Sequence, residues 1–463
     1  MLKTDSPRII KHDLRGLLTL AWPIIVSRST QVVVGLADAL MVSHLGETAL
    51  AAVTAGAMNS YAFFVFPMGV SFIVSSFSSQ LTGRGQAAGA RRYGWYGLII
   101  AGLAQLLALT SIPFFPIIFS HFGYTPEVSM ALCSYLAIRF LSTGAAVGIE
   151  ALGNYYGGLG NTSLLMKANI TAMAANVLFN WLLIDGRLGF PALGFQGAAW
   201  GSVLSVNLAF AIFLTVFLLH GRGLGRLGLD VREFLRMMRF GLPSGLNWSF
   251  EFFAFILFVN IVVAGLGTSS LAAMMAVLQL NSISFMPAFG LSSAGAILVG
   301  QSIGARQKHA VPYLVRLTFL ASAAWMGLVS VSYLAFPTLL LSPFVPGQSV
   351  DGAFMATGVL MLGMSAFWQV FDAAGMTLSE SLRAAGDTAY AMWARGLIAW
   401  GFFLPGSWIH VRHFGGSEGA VMAWLIAYLA IVALALYLRF KSGAWKKIEL
   451  MQDPLPVLTH PES

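Results

Sequence analysis

Twelve stretches of roughly 20 apolar residues, separated by short polar or Gly/Pro-rich breaks, constrain this chain more than any other feature. A run of that length matches the hydrocarbon thickness of a bilayer when wound as a helix. The predicted spans are 14–41, 49–79, 94–120, 128–155, 163–184 and 195–219, then 234–265, 270–300, 312–342, 352–381, 388–411 and 418–439. Transmembrane strands would alternate in polarity over about ten residues, and these do not. Only 10% of the 463 residues are charged, too few for a soluble surface on a chain this long. The expectation is an all-α integral membrane protein in a lipid bilayer.

Basic residues gather in alternate breaks. Arg84, Arg91 and Arg92, then Lys167, then Arg222 to Arg239, then Arg306, Lys308 and Arg316, then Arg383 and Arg395 follow the even-numbered spans, and both termini are basic. The other breaks hold Arg187 and Arg412. The positive-inside rule puts both termini in the cytoplasm, and the expected location is the cell (inner) membrane. The net charge of +8 thus reflects topology and gives no argument for nucleic acid. No cleavable leader is evident, and Cys133 is the single cysteine, so no internal disulfide forms.

The chain also repeats itself at an offset near 221 residues. Pro23 and Leu45-Gly46 are answered by Pro243 and Leu266-Gly267; Pro67 by Pro287; Gln80 and Gly83 by Gln301 and Gly304; Gly197-Ala198 by Gly419-Ala420. Each repeat holds six spans, so both enter the membrane the same way, as in parallel-repeat transporters. The expected layout is a six-helix lobe over 1–220, a cytoplasmic linker over 221–233, a second six-helix lobe over 234–440 and a tail over 441–463. Sites in such folds lie between repeats near the midplane.

Five polar residues inside these spans are the candidates for chemistry, since an ionisable group in hydrocarbon is costly and usually faces a wet interior. Asp38 lies in the outer half of the first span. Asn176 and Asn180 are one turn apart on the fifth and share a face. A carboxylate with two amide oxygens suits a hard cation or a proton, or simply a hydrogen-bonded cluster. Glu251 and Asp372 lie about 16–18 Å deep on the seventh and tenth spans, from 1.5 Å per residue, so they can share a cation or a proton. Arg28 is expected to snorkel or offset an acid such as Asp38, and Arg139 to meet helix-end carbonyls or another acid. Glu150 and Glu380 are expected to be hydrated near the cytoplasmic ends, and Asp185 to be a loop residue. Phosphate-binding loops and metal-ligand spacings are absent, so no enzyme or cofactor is expected.

Trp22-Pro23, the run Leu36-Ala37-Asp38 to Gly46, Gln80 to Gly83 and Asn176 to Pro191 resemble first-lobe signatures of multidrug and toxic compound extrusion (MATE) transporters. Gly241-Leu242-Pro243 with Phe250-Glu251, and Phe371-Asp372 with Leu382 to Thr388, resemble the NorM branch. The resemblance spans nearly the whole chain. It implies that Asp38, Asn176 and Asn180 form a first-lobe coupling site, and that Glu251 and Asp372 bind the coupling cation, usually sodium. It implies a monomeric antiporter exchanging Na+ or H+ for organic, often cationic, drug-like compounds. A lipid-linked-precursor flippase of the same superfamily, or an uncoupled channel or receptor, are the alternatives.

Overall fold

In the computed structural model, which describes residues 12–121, 123, 125–220, 228–344 and 352–451, the described chain is helical and forms no strand. Most of the predicted linker (221–227) and the end of the tail (452–463) lie outside those residues. Twelve helical rods are described. They are α1 Leu14–Leu45, α2 Glu47–Gly83, α3 Ala87–Phe119, α4 Pro126–Gly158, α5 Ser163–Leu183 and α6 Phe195–Leu219, then α7 Val231–Leu266, α8 Thr268–Gly304, α9 Lys308–Ala335, α10 Gly352–Ala385, α11 and α12 Glu418–Lys441. α11 runs from Thr388–Leu397 through a π-helical turn, Ile398–Phe403, into Leu404–Phe414. Ten rods are long and apolar enough to cross a bilayer on their own terms. The other two, α5 and α11, are diluted by Lys167 and three asparagines and by Arg395, Arg412 and two histidines.

The rods form two pseudo-symmetric six-helix lobes that meet where α1 lies on α8 and α2 lies on α7. The exchange is reciprocal. Leu17, Leu20, Ala21 and Ile24 at the start of α1 are buried in the second lobe's core. Met237 at the start of α7 is buried in the first lobe's core. Lipid tails are as apolar as leucine, so such contacts depend on close packing and polar links between rods. At the α2–α7 crossing Gly69 faces Gly245 so closely that a Cβ on Gly69 would stand 2.9 Å from the Gly245 Cα. Ser244 Oγ, beside it, donates to the Gly69 carbonyl at 2.8 Å.

Several rods are broken or bent within their length. α2 bends at Phe72, just beyond Pro67, whose ring removes one helical donor. α4 breaks over Phe140–Ser142. There Gln105 of α3 donates to the Phe140 carbonyl at 3.0 Å and accepts from Gly144 N at 2.8 Å, satisfying the freed groups. α7 carries a π-helical turn at Phe258–Val263, facing the one in α11 through a Phe258–Phe403 ring contact at 4.7 Å. π-helical turns inside α-helices are frequent at functional sites.

The tail is not a free extension. Trp445 stacks on Phe440 and is buried in the second lobe, whereas Leu450 and Met451 are buried in the first lobe's core. Lys308 Nζ and Arg236 Nη2 donate to the tail carbonyls of Lys446 and Glu449 at 2.7 and 3.0 Å. Residues 443–451 therefore strap one lobe to the other on the face that carries the basic loops.

Candidate functional site

In the first lobe, α1, α5 and α6 bring four polar side chains together. Asn180 Nδ2 donates to Asp38 Oδ1 at 2.6 Å, and Ser202 Oγ donates to Asp38 Oδ2 at 3.4 Å. Asn176 Nδ2 reaches Ser202 Oγ at 3.1 Å and its own carbonyl oxygen accepts from Asn180 at 3.4 Å. All four are buried. The structure thus assembles the three predicted residues, Asp38, Asn176 and Asn180, and adds Ser202, which a serine among apolar neighbours on α6 gives little reason to select. The cluster borders a cavity of about 290 Å³ that Arg139, Glu150, Gln31 and Tyr61 also line.

In the second lobe, Glu251 of α7 and Asp372 of α10 line one cavity of about 470 Å³. The wall is aromatic, with Trp248, Phe252, Phe255, Phe285, Phe403 and Tyr428. A chain of neutral oxygens completes it: Ser284 Oγ donates to Gln369 Oε1 at 3.0 Å, and Gln369 Nε2 donates to Asn281 Oδ1 at 2.6 Å. The two carboxylates stand differently. Glu251 is ion-paired to Arg395 of α11, whereas Asp372 has no hydrogen bond or ion pair among the described residues. By its place in the sequence Arg395 marks a cytoplasmic break; in the fold it is buried at the site. No three His, Cys, Asp or Glu side chains converge among the described residues. A cation here would be held by carboxylate plus amide and hydroxyl oxygens, a donor set that suits a hard cation.

Other expectations are corrected. Arg28 does offset an acid, but that acid is Glu150 and not Asp38. Its two Nη atoms grip Glu150 of α4 at 2.7 and 2.8 Å, and its guanidinium lies over Phe72 and Phe289 at 5.7 and 5.3 Å. Glu150 and Glu380 are not hydrated ends; both are buried, and Glu380 is ion-paired to Arg383. Arg383 is itself no loop marker, since it crosses the lobe boundary and donates to the Phe72 carbonyl that the bend in α2 exposes. Of the two partners expected of Arg139, a helix-end carbonyl is not among its contacts in the described residues; the acid that answers its charge across the first-lobe cavity is Asp38. Asp185 behaves as a loop residue, paired with His44 and Arg187 at 3.0 and 3.1 Å and part-exposed.

The MatE family model matches this chain twice, over residues 23–182 and 243–409, once in each lobe. A probable multidrug resistance protein NorM from Mesorhizobium japonicum is 28% identical, covering 96% of both chains. Another from Pseudomonas putida is 30% identical, covering 95% of this chain and 96% of the relative. Among solved structures, a MOP superfamily transporter from Pyrococcus furiosus, described as having a binding pocket of reversed polarity, superposes with a TM-score of 0.85 at 19% identity, over 93% of this chain and 96% of that one. An outward-facing MATE family transporter superposes at 0.83 with 18% identity, over the same shares. With both lobes matched and the length shared, the chain belongs to the MatE family, on its NorM-like branch.

Proposed function

We propose that the protein is a secondary-active multidrug exporter. It exchanges sodium or protons for organic, often cationic, compounds by alternating access, and works as a monomer in the inner membrane with both termini cytoplasmic. It transports and performs no enzyme chemistry. The observation that carries this reading is Asp372, a carboxylate that has no protein partner among the described residues, in an aromatic cavity inside the membrane. Arg395 neutralises Glu251, so the second-lobe cavity keeps one uncompensated negative charge. That charge invites a single cation, either the coupling ion or a flat organic cation held against the rings. The first-lobe cavity holds one cation for each acid by contrast: Arg28 is paired with Glu150, and Arg139 lines the same space as Asp38.

Coupling requires that the ion bind the two states of the lobes with different affinity. The polar links on the basic-loop face support a two-state lobe boundary, because they can be made or broken as a set. A lipid-linked-precursor flippase would need a cationic central cavity, which the charge on Asp372 disfavours.

Efflux of a fluorescent cation from energised vesicles tests the proposal. Asp372→Asn and Glu251→Gln are expected to abolish ion-driven efflux, and Asp38→Asn to impair it. Undiminished efflux in all three sinks the coupling assignment. Imposing a sodium gradient alone, then a pH gradient alone, identifies the ion.

A further inference from the structure

Two buried ion pairs meet at the lobe boundary. Arg28 of α1 is paired with Glu150 of α4 in the first lobe, and Arg383 with Glu380 within α10 of the second; all four are buried. Both guanidinium groups stand over the Phe72 ring, each 5.7 Å from its centre. Each also reaches across the boundary: Arg28 lies over Phe289 of α8 at 5.3 Å, and Arg383 donates to the Phe72 carbonyl of α2. A cavity of about 30 Å³, room for a water molecule, is lined by Arg28, Glu380 and Arg383 with Ser75 and Asn154 of the first lobe and Ser293 of the second.

This charged layer lies between the two large cavities and the closed basic-loop face. Along α10 the order is Asp372 on the second-lobe cavity, then Glu380 and Arg383, then Ala384, whose carbonyl accepts from Gln80 Nε2 of the first lobe at 2.8 Å. Along α4 it is Glu150, at the edge of the first-lobe cavity, then Gly158, whose carbonyl accepts from Gln301 Nε2 of the second lobe at 3.2 Å. When the lobes part on this face, the passage from the cavities runs past all four charges.

In the closed boundary the layer is costly. Taking a carboxylate and a guanidinium out of water often costs more than their attraction returns, and apolar side chains of similar volume are then as stable or more so. Satisfaction is also incomplete here, because Arg28 Nε is buried with no hydrogen-bond partner among the described residues. Parting the lobes returns the charges to water, whereas apolar residues in their place would be exposed at a cost. We propose that the Arg28–Glu150 and Glu380–Arg383 pairs are a device that favours opening: they raise the closed boundary in free energy relative to the open one and give the passage a wettable wall. They are not clasps that hold the face shut. This rests on the alternating-access reading above and adds what keeps the closed state from being a trap.

Labelling of a cysteine buried at the boundary tests the direction of the effect. The full-length protein in lipid nanodiscs, with no substrate or ion gradient, carries Ser79→Cys in a Cys133→Ala background, and maleimide reports how often the boundary opens. Arg28→Met with Glu150→Leu is expected to slow labelling about tenfold. Arg28→Met with Glu150→Gln, a milder neutral pair, is expected to slow it less, and decides alone if the first variant does not fold. Thermal unfolding shows which variants are folded. Faster labelling in the neutral variants overturns the proposal, because the pair would then be a clasp. If the parent is labelled and neither variant is slowed, this inference fails while the export reading stands; if the parent is not labelled at all, the boundary does not open and both fail.

Discussion

Gln80 and Gln301, at corresponding positions of the two repeats, each donate a side-chain amide across the lobe boundary. Gln80 Nε2 reaches the Ala384 carbonyl at the end of α10 at 2.8 Å, and Gln301 Nε2 reaches the Gly158 carbonyl at the end of α4 at 3.2 Å. Beside them Gly83 and Gly304 are reciprocal too: a Cβ on either would collide with the backbone carbonyl of the opposite glutamine. The result is a two-fold latch on the basic-loop face, made of neutral hydrogen bonds and so readily reversible.

If the latch holds that face closed, replacing both amides should open it. Each neutral hydrogen bond is worth about 1 kcal/mol, so Gln80→Ala with Gln301→Ala should shift the equilibrium by roughly 30-fold. The readout is maleimide labelling of Ser79→Cys, buried at the lobe boundary beside Gly300, in a Cys133→Ala background. Labelling no faster than the parent means that other contacts keep the face shut.

Arg28 and Glu150 are both buried and hold each other through two hydrogen bonds. Arg28→Met leaves a carboxylate without its counter-charge and should cost about 3–5 kcal/mol of stability. Arg28→Met with Glu150→Gln should recover much of the loss. Thermal unfolding in detergent measures both, and a double variant as unstable as the single one would show that pairing is not the cause.

The Glu251–Arg395 pair should behave as a coupled unit. A double-variant cycle with Glu251→Gln and Arg395→Gln is expected to show an interaction of about 1–3 kcal/mol in unfolding free energy. Asp372→Asn combined with Arg395→Gln should be additive for stability, since Asp372 has no ion-pair partner among the described residues. A large interaction between Asp372 and Arg395 would contradict the unequal standing of the two carboxylates.

Leu450 is 1% exposed and packs on Gly386 while sitting in the first lobe's core. Leu450→Ala should destabilise by about 2–5 kcal/mol, as for other fully buried leucines. Because the tail straps the lobes together, the same variant should also speed labelling of Ser79→Cys. Unchanged melting and labelling would make the tail a passive passenger.

Position along each helix is legible in the amino-acid sequence. Asn176 and Asn180 share a face because four residues make about one turn, and Asp38 meets Asn180 because their depths agree. Glu251 and Asp372 share a cavity for the same reason of depth. Rotation about each rod is not legible there: Arg395 reads as a loop residue because no local pattern shows that α11 turns it towards α7.

The number of membrane rods, the repeat and the matching depths of Asp38 with Asn180 and of Glu251 with Asp372 are written in the linear order of the residues. They follow from bilayer thickness and helical rise, which act on each stretch of chain separately. Which charge answers which is a matter of the packed fold: Arg28 goes to Glu150, Arg383 to Glu380, Arg395 to Glu251, and Asp372 and Arg139 are left facing cavities. Several acids and bases share each depth, and the choice among them depends on how twelve rods are placed and rotated together. That arrangement arises from packing between distant segments, which no single stretch of sequence contains.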